Sequence, residues 1–350
     1  MTELTADEQQ VLDRIDVDEI VALTQALVAA PGVNPPGGEG DTAQVLVEAS
    51  RERGLDVTVD EVEPHRPNVA ATLRGGDEPG LLLLGHSDVV PHGDGWTVDP
   101  LGGLVRDGRV YGRGSTDMLG GLAASVVAMS ALRSSGVELR GSVQLAAVVD
   151  EEETGKGIRQ YLKDSGGIGY GSCIVAEPTD LQPIIAARGD SYLEIEVTGR
   201  SAHSGNPSDG VSAIYGAAAI VAEIEAWHHE MAETVSHPLV GPPTWNVGQV
   251  SGGLGTSTVP AECRLMVDRR LMPDEDGAVV LAATRERLLG LGLNTRGLGV
   301  EIAMTMEMPG FETPSDDPFV AAVDAALGAA GGPGLPLAGW SAACDGGFIA

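Results

Sequence analysis

Two runs of apolar residues, 81–84 and 143–149, place the tightest limit on how this chain can fold. Both have the length of a strand and lack polar alternation apart from Gln144, which is typical of strands buried on both faces of a sheet. Residues 118–133 are rich in alanine, leucine and methionine and end near Gly136, which predicts a helix. This order predicts an α/β domain with a mostly parallel sheet, flanked by helices, in which the two runs are central.

The pattern changes after Arg188, where short alternating segments replace the buried runs. Before it, we predict helices at about 17–30 and 41–53 and a strand at 56–62. After it, the sequence predicts a smaller α+β unit with elements at about 191–198, 210–231, 244–250, 259–269 and 299–306. A helix follows at about 316–330.

A chain of 350 residues is longer than one hydrophobic core usually supports, so two domains are expected. We predict that residues 1–188 and 305–350 form one domain and that 189–304 are inserted in it.

The composition narrows the classes of function. Acidic residues number 51 against 21 lysines and arginines, and the formal charge of −30 opposes binding to nucleic acid or anionic lipid. The N-terminus lacks the basic and apolar segments of a secretory signal, and no apolar run approaches the roughly 18 residues of a membrane span. Three widely spaced cysteines fit reduced thiols. We therefore expect a cytoplasmic protein with neither nucleic-acid nor membrane partners.

Polar side chains follow the first buried run directly. Residues two apart in an extended chain project to the same side, so His86 and Asp88 can act together. A metal-bound imidazole usually donates its other N–H to a carboxylate, which suits Asp88 as a partner. A structural hydrogen bond or a solvated loop explains the same pair without a metal.

Carboxylates follow the other core elements. Four acids, 150–153, end the second buried run, Asp117 precedes the predicted helix, and Glu177 follows a short apolar run. Ligands bind at the carboxyl edge of open α/β sheets, and a cation there would relieve the repulsion between carboxylates. Alternatives remain, because Asp117 suits a helix cap and the four acids suit a charged surface turn.

Four ordered motifs, Gly-His-Ser-Asp-Val-Val-Pro, Gly-Arg-Gly-Ser-Thr-Asp-Met, Asp-Glu-Glu and Ala-Glu-Pro-Thr, resemble those of the M20 metallopeptidase family. This family includes acetylornithine deacetylase, succinyl-diaminopimelate desuccinylase, aminoacylase and carboxypeptidase G2-like enzymes. Residues 34–37 and 199–203 resemble the family as well, so the match spans almost the whole chain. The resemblance implies that the inserted unit is a ferredoxin-like lid or dimerisation domain and that the protein is a homodimer through it.

The resemblance also implies a role for each matching residue. His86 and Glu177 would bind one metal, Glu152 the other, and Asp117 would bridge both. Glu151 would be the general base, with Asp88 orienting the imidazole. The base and ligand pair can also be shifted to Glu152 and Glu153, and we prefer the first register because it keeps Asp150 as the preceding acid. His203 of the inserted unit would reach the substrate.

The sequence departs from the family pattern in two places. The helix after the bridging aspartate usually continues Met-Lys-Gly, but Leu119 stands at the lysine position, which predicts a missing cation near the site. Relatives take the last ligand of the second metal from a histidine near the chain end, but no histidine follows His237. We interpret this difference as a truncated sequence.

These observations predict a metal-dependent hydrolase that cleaves an N-acyl amino acid or a small peptide through a metal-bridging hydroxide. Two divalent cations are expected, with zinc preferred and cobalt or manganese as alternatives. Arg264 and Arg270 are candidate ligands for a substrate carboxylate. The competing hypothesis is a non-catalytic relative that serves in binding or assembly.

Overall fold

The structure is a computed structural model that describes residues 4–164, 169–234 and 236–350. The chain forms two compact units. The first runs up to Pro183 and includes Asp316–Pro336 and Ile349, and the second comprises Ile184–Ser315, Leu337–Phe348 and Ala350. The division into a catalytic domain and an inserted lid at 188/189 and 304/305 stays a prediction.

Helices account for much of the described chain. The α-helices there are α1 (Ala6–Leu12), α2 (Val17–Val28), α3 (Gly40–Glu52), α4 (Leu119–Ser135), α5 (Lys156–Asp164), α6 (Ala213–Thr234), α7 (Gly277–Leu289) and α8 (Pro318–Ala329). Short 3₁₀ turns lie at Pro207–Asp209, Leu293–Arg296 and Asp345–Phe348. In the part of the chain that is described, no helix combines the length and the apolar character that crossing a membrane requires.

The strands of the first unit are β1 (Gly32–Val33), β2 (Asp56–Glu63), β3 (Arg66–Leu73), β4 (Glu78–His86), β5 (Asp88–Val89), β6 (Leu104–Arg106), β7 (Arg109–Tyr111), β8 (Gly141–Val148) and β9 (Tyr170–Val175). Those of the second unit are β10 (Ile184–Ala187), β11 (Gly189–Thr198), β12 (Ala202–His203), β13 (Thr244–Gly252), β14 (Thr258–Val259), β15 (Glu262–Leu271), β16 (Gly299–Met308), β17 (Phe311–Glu312) and β18 (Ala338–Trp340).

The main sheet of the first unit has the order β2-β3-β8-β4-β9. Strand β4 is parallel to both β8 and β9, whereas β3 is antiparallel to β8 and to β2. The two apolar runs lie in β4 and β8, side by side within the sheet, which confirms their predicted central position. The predicted α/β class is also confirmed, although the parallel part of the sheet is limited to three strands and the β2–β3 side is antiparallel.

The register brings the residues that follow the parallel strands to about one level. His86 at the end of β4 pairs with Val148 at the end of β8, and Leu84 pairs with Val175 at the end of β9. The residues that follow these three strands therefore emerge together at one edge of the sheet. Ligand sites of open α/β sheets lie at this edge.

Helices cover both faces of this sheet. Leu27 of α2, Leu46 of α3 and Leu122 of α4 are buried in one core cluster with Val143 and Leu145 of the sheet. Each such leucine stabilises the fold by roughly 1.5–3 kcal/mol relative to an exposed one. On the other face, α5 is fixed by polar contacts: the Asn68 side-chain amide donates to the Gly157 carbonyl at 2.8 Å, and the Tyr161 hydroxyl donates to Gln144.

The second unit contains a four-stranded antiparallel sheet in the order β13-β15-β11-β16. Along the chain its elements run β11, α6, β13, β15, α7 and β16, which is the ferredoxin-like arrangement that was predicted. Leu193 of β11 and Leu265 of β15 form one core with Ile220 of α6 and Leu288 of α7. A three-stranded sheet, β17-β10-β18, completes this unit.

A buried ion network lies beside the sheet of the first unit. The Arg66 guanidinium donates through Nε and one terminal nitrogen to the Glu39 carboxylate at 2.8 and 2.6 Å, and to Asp150 at 2.8 Å. The side chains of Arg66, Glu39 and Asp150 are 8%, 0% and 3% exposed. The hydrogen bond from Arg66 to Glu39, and the charge of both partners, raise the pKa of the guanidinium despite burial. The guanidinium is therefore charged at neutral pH.

Replacing Arg66 by alanine leaves two buried carboxylates without their cation. We expect the free energy of unfolding to fall by about 3–5 kcal/mol, the usual consequence of removing one partner of a buried ion pair. Urea unfolding followed by circular dichroism measures it. The matched control is Arg74→Ala, because Arg74 pairs with Asp56 at 2.7 Å on the exposed surface, where an ion pair contributes about 0–1 kcal/mol. Equal losses in the two variants would contradict the prediction.

Candidate metal centre

The candidate site lies at the carboxyl edge of the first sheet, beyond the ends of β4, β8 and β9. His86 is the last residue of β4, Glu151 follows β8 after a two-residue connection, and Glu177 lies two residues after β9. The sequence prediction that these residues meet on one rim rests on strand order alone. The observed register provides the reason, since β4 and β8 end opposite each other and β9 ends opposite Leu84, so that Glu177, two residues after β9, comes near the level of His86.

Asp117 reaches the same place from the start of α4. The N-cap position of this helix is Met118, and it has no side-chain capping hydrogen bond, so Asp117 does not cap the helix. The peptide bond between Asp117 and Met118 is cis. The Asp117 carboxylate lies 3.1 Å from His86 Nε2 and so reaches the site, and the capping alternative is not supported.

Three of the predicted metal ligands form a compact cluster. One ligand atom each of His86, Asp117 and Glu177 lies within 4.8 Å of the other two. The Nε2 atom of His86 is 3.1 Å from Asp117 Oδ1 and 3.7 Å from Glu177 Oε1. One imidazole and two carboxylates at these separations are the ligand types that zinc and related divalent cations take. Glu152 is the predicted ligand that this cluster does not include.

The cluster is buried on one side and open on the other. The side chains of His86 and Glu177 are 1% and 7% exposed, whereas that of Asp117 is 53% exposed. A ligand or an ion reaches these atoms from the side of Asp117.

The pKa values record how the charges at the site act on one another. Burial would lower the pKa of His86, but its contacts with the carboxylates of Asp117 and Asp88 and the charge of Glu151 raise it well above the ordinary value. The hydrogen bond with His86 lowers the pKa of Asp117.

Two glutamates of the site shift in the opposite direction. Burial, together with the charges of Asp117 and Glu152, raises the pKa of Glu177 to about 7. Burial and the charges of Asp117 and Asp88 also raise the pKa of Glu152. Carboxylates crowded in this way hold protons unless a cation replaces them. This donor set therefore fits a divalent metal.

His86 is oriented by Asp88, as the spacing predicts, but mainly through the backbone. The imidazole Nδ1 lies 2.9 Å from the Asp88 carbonyl oxygen and 3.6 Å from its carboxylate. A proton on Nδ1 donated to that carbonyl leaves Nε2 as the ligand atom facing Asp117.

The carboxylate of Asp88 holds the segment after β8. It accepts the backbone N–H groups of Glu151 at 3.2 Å and Glu152 at 3.1 Å. Burial alone would raise the pKa of Asp88, but the nearby imidazole of His86 and the hydrogen bonds from Asn34 and this backbone keep it below the ordinary value. Asp88 is therefore an ionised anchor for the two glutamates.

Glu151 is largely buried close to the cluster, whereas Glu153 is exposed. The Glu151 Oε2 atom is 3.9 Å from His86 Nε2, and its side chain is 11% exposed. Glu153, two residues further along, is exposed.

The remaining predicted residues belong to the second unit. His203 is exposed in β12, and its Nδ1 accepts the Gly205 backbone N–H at 3.0 Å, which leaves Nε2 as the donor of a neutral ring.

Both predicted arginines already have acidic partners in that unit. Arg264 pairs with Glu194 at 3.0 Å and with Glu196 at 2.6 Å. Arg270 pairs with Asp190 at 3.2 Å and with Asp268 at 3.1 Å. A substrate carboxylate would therefore have to compete with these acids.

Leu119 occupies the position where relatives have lysine, and the loss of a cation near the site stays a prediction. Its side chain is fully buried in the core cluster of the first unit, which also contains Val89. The substitution of leucine at this position therefore serves packing at the start of α4.

Comparison with known proteins agrees with this geometry. A family model described as peptidase family M20/M25/M40 matches residues 82–350. This chain belongs to peptidase family M20. It is also 30% identical over 331 residues to an acetylornithine deacetylase of Proteus mirabilis, which covers 90% of this chain and 83% of the relative. The M20 family consists of hydrolases of amide and peptide bonds, and the chain is a hydrolase of this kind.

Solved structures show the same fold. The aminopeptidase PepT of Bacillus cereus superposes with a TM-score of 0.75 at 21% identity, over 96% of this chain and 88% of that one. A Bacillus subtilis protein described as a dinuclear metal binding peptidase of the M20 family gives a TM-score of 0.69 at 16% identity, over 95% and 85% of the two chains. At these identities the likeness establishes the M20 fold.

Sequence reasoning missed the polar groups behind the site. Asn34, Glu39 and Arg66 received no role, although Asn34 donates to Asp88 at 2.9 Å and to Asp150 at 3.2 Å. The one available signal was the Asn-Pro-Pro-Gly segment, which resembles the M20 family but does not indicate which residues Asn34 contacts.

Proposed function

We propose that this M20 hydrolase is a dinuclear metal enzyme that removes the acyl group from an N-acyl amino acid, with Glu151 as its general base. The observation that carries the proposal is the cluster of His86, Asp117 and Glu177, whose ligand atoms lie within 4.8 Å of one another at the carboxyl edge of the sheet. Glu151 lies beside it, 3.9 Å from His86.

The side chains of this cluster fit one cation, and a second cation would take two of the predicted ligands. His86, Asp117 and Glu177 would hold the first, and Asp117 with Glu152 would hold the second. Zinc is the preferred metal because the ligands mix imidazole and carboxylate, and cobalt or manganese is the alternative. Bound cations would polarise the scissile carbonyl and lower the pKa of the attacking water.

Glu151 is placed to move the proton that hydrolysis requires. Its carboxylate takes a proton from the attacking water and delivers it to the leaving amine, a contribution of roughly 10²–10⁴-fold to the rate. Its exposure of 11% limits competition from bulk water. The exposed position of Glu153 supports Glu151 and Glu152, rather than Glu152 and Glu153, as the base and ligand pair.

His203 is proposed to donate to the oxyanion that forms on the substrate carbonyl, since its Nε2 carries the ring proton when Nδ1 accepts from Gly205. Arg264 and Arg270 stay predictions as ligands of a substrate carboxylate. An Arg270→Lys variant with an unchanged KM for every carboxylate substrate would remove Arg270 from that role.

The proposed substrate class comes from the relatives. The acetylornithine deacetylase of Proteus mirabilis covers 90% of this chain, which favours acetylated amino acids, acetylornithine among them, over peptides. Aminopeptidase and dipeptidase neighbours share only the fold and supply the second substrate class to test.

The experiment is an activity screen with zinc, cobalt or manganese added in turn. The panel contains acetylated amino acids, including acetylornithine, together with dipeptides and tripeptides. We expect release of acetate from at least one acetylated amino acid in a metal-dependent way. Turnover of peptides alone would replace deacylation by peptidase activity. Tight metal binding without turnover of any substrate would favour the rival hypothesis of a binding or assembly protein.

Replacing Asp88 by asparagine tests how the site is held. The asparagine keeps the shape but has one acceptor oxygen where the carboxylate has two, so it cannot accept from Glu151, Glu152 and Asn34 together. We expect metal affinity or kcat to fall about 10–100-fold, the usual effect of removing a partner behind the ligands. Metal titration and steady-state kinetics measure it. Unchanged values of both would contradict the role of Asp88.

A homodimer through the second unit is proposed from its exposed apolar side chains. Tyr215 of α6, Val250 of β13 and Leu254 are 73%, 55% and 99% exposed. Contiguous apolar patches mark interaction sites, and these three side chains are the proposed members of such a patch. Sedimentation velocity of the protein tests this proposal, and a single monomeric species at micromolar concentration would contradict it.

A further inference from the structure

Behind the proposed active site, one buried amide joins two carboxylates that are far apart in sequence. Asn34 is 2% exposed. Its Nδ2 atom donates to Asp88 Oδ2 at 2.9 Å and to Asp150 Oδ1 at 3.2 Å. The contacted oxygens of both partners accept these hydrogen bonds, so the NH₂ group of the amide faces them. Each hydrogen of that group serves one carboxylate.

The backbone fixes Asn34 in this position. Strand β1 pairs in parallel with β5, so that Gly32 lies opposite Asp88 and Val33 lies opposite Val89. The Asn34 backbone N–H then donates to the Val89 carbonyl at 2.9 Å. The side chain therefore starts from a fixed point beside Asp88.

The two carboxylates that Asn34 joins control the segment that carries Glu151 and Glu152. Asp88 accepts the backbone N–H groups of both glutamates. Asp150 is the residue directly before them, and its backbone has a φ of 68°, in the left-handed region. Its carbonyl accepts the Gly155 N–H at 2.6 Å, which closes the turn.

Arg66 completes the arrangement from the opposite side. It donates to the same Asp150 oxygen that Asn34 contacts, at 2.8 Å, and is itself held by Glu39. Asp150 is thus held between a cation and an amide, while Asp88 is held between the amide and the backbone of the glutamate segment. Removal of the amide would leave two buried carboxylates facing each other without a donor between them.

We propose that Asn34 is a positioning residue of the active site. By tying Asp88 to Asp150, it sets the distance of the Glu151–Glu152 segment from His86 and so from the metal cluster. Asn34 contacts neither the proposed metals nor the substrate and acts through Asp88. The expected change in kcat rests on the proposed function. The expected change in metal affinity does not, because metal binding can be measured without turnover.

The test is a double-mutant cycle with Asn34→Ala and Asp88→Asn. We expect Asn34→Ala to lower kcat about 10–100-fold with KM changed less than about 3-fold. In the Asp88→Asn background the same substitution should lower kcat by less than about 3-fold, because the two residues act through one contact. Equal losses in both backgrounds would overturn the proposal.

Metal affinity provides a readout that does not depend on the substrate. Titration of the metal-free protein with zinc should show binding weakened at least about 10-fold by Asn34→Ala, because the Glu152 ligand is no longer held. The matched control is Gln144→Ala. Gln144 is also a buried amide, and its partners are Thr72, Tyr161 and Tyr170 rather than Asp88 or Asp150. It should lose stability but keep zinc affinity and kcat.

The outcomes separate this inference from the proposed function. A wild-type protein without hydrolase activity would contradict the proposed function, and the zinc titration would still decide the role of Asn34. Zinc affinity equal in wild type and Asn34→Ala would overturn that role. If Asn34→Ala does not fold, Asn34→Ser retains one donor, and an intermediate loss of zinc affinity is expected. Unchanged affinity in a folded Asn34→Ser protein would count against the proposal.

Discussion

Glutamine in place of Glu151 should lower kcat by roughly 10²–10⁴-fold while both cations stay bound. Glutamine has the size of glutamate but cannot take a proton from water, and Glu151 is not among the proposed ligands. The site should therefore keep its geometry and lose its proton transfer. Steady-state kinetics on the best substrate of the screen, with metal analysis of the same preparation, gives both numbers.

Glu153→Gln is the matched control for that variant. It is the same substitution two residues away in the same turn, on a side chain that is exposed. We expect kcat within about 2-fold of wild type, as for surface substitutions that make little change in stability. If Glu153→Gln lost activity and Glu151→Gln kept it, the base would have to be reassigned.

Loss of the proposed bridging carboxylate, Asp117, should lower activity as much as Glu151→Gln does. Asp117→Ala removes the ligand proposed to be shared by both cations, so we expect activity to fall at least about 10³-fold, which corresponds to several kcal/mol of transition-state stabilisation. Chelation of the wild-type protein should give the same loss, and added zinc should reverse it in the wild type alone. Metal content by mass spectrometry accompanies each assay.

Asp107→Ala controls for the loss of one exposed acid. Asp107 lies in the turn between β6 and β7, and its side chain is 85% exposed. It should retain activity and metal. Full activity in chelated wild-type protein would exclude a metal role for this cluster altogether.

The sequence predicted the parts of the site that depend on local pattern. Apolar runs identified β4 and β8, and the polar residues directly after them, His86 and Glu151, lie where a parallel register brings strand ends together. Gly136 ended α4 as expected, with a φ of 73°. These features depend on neighbouring residues, so they can be read along the chain.

The features that the sequence did not predict depend on contacts between residues that are distant along the chain. Asn34 meets Asp88 across 54 positions and Asp150 across 116, and neither pairing leaves a periodic signal. Helix α7 was also missed, because Gly277 and the apolar residues after it suit a strand as well as a helix. Only the packing of α7 against the sheet of the second unit decides between them.

The strand β2 has a consequence for how copies of the folded protein meet. It forms one edge of the first sheet and carries four acids among its eight residues. A second copy approaching edge to edge would bring the same charges together, which opposes extension of the sheet at neutral pH. Replacing the four acids by their uncharged amides should therefore raise light scattering at neutral pH. Without those charges, a protected edge would become a template for aggregation.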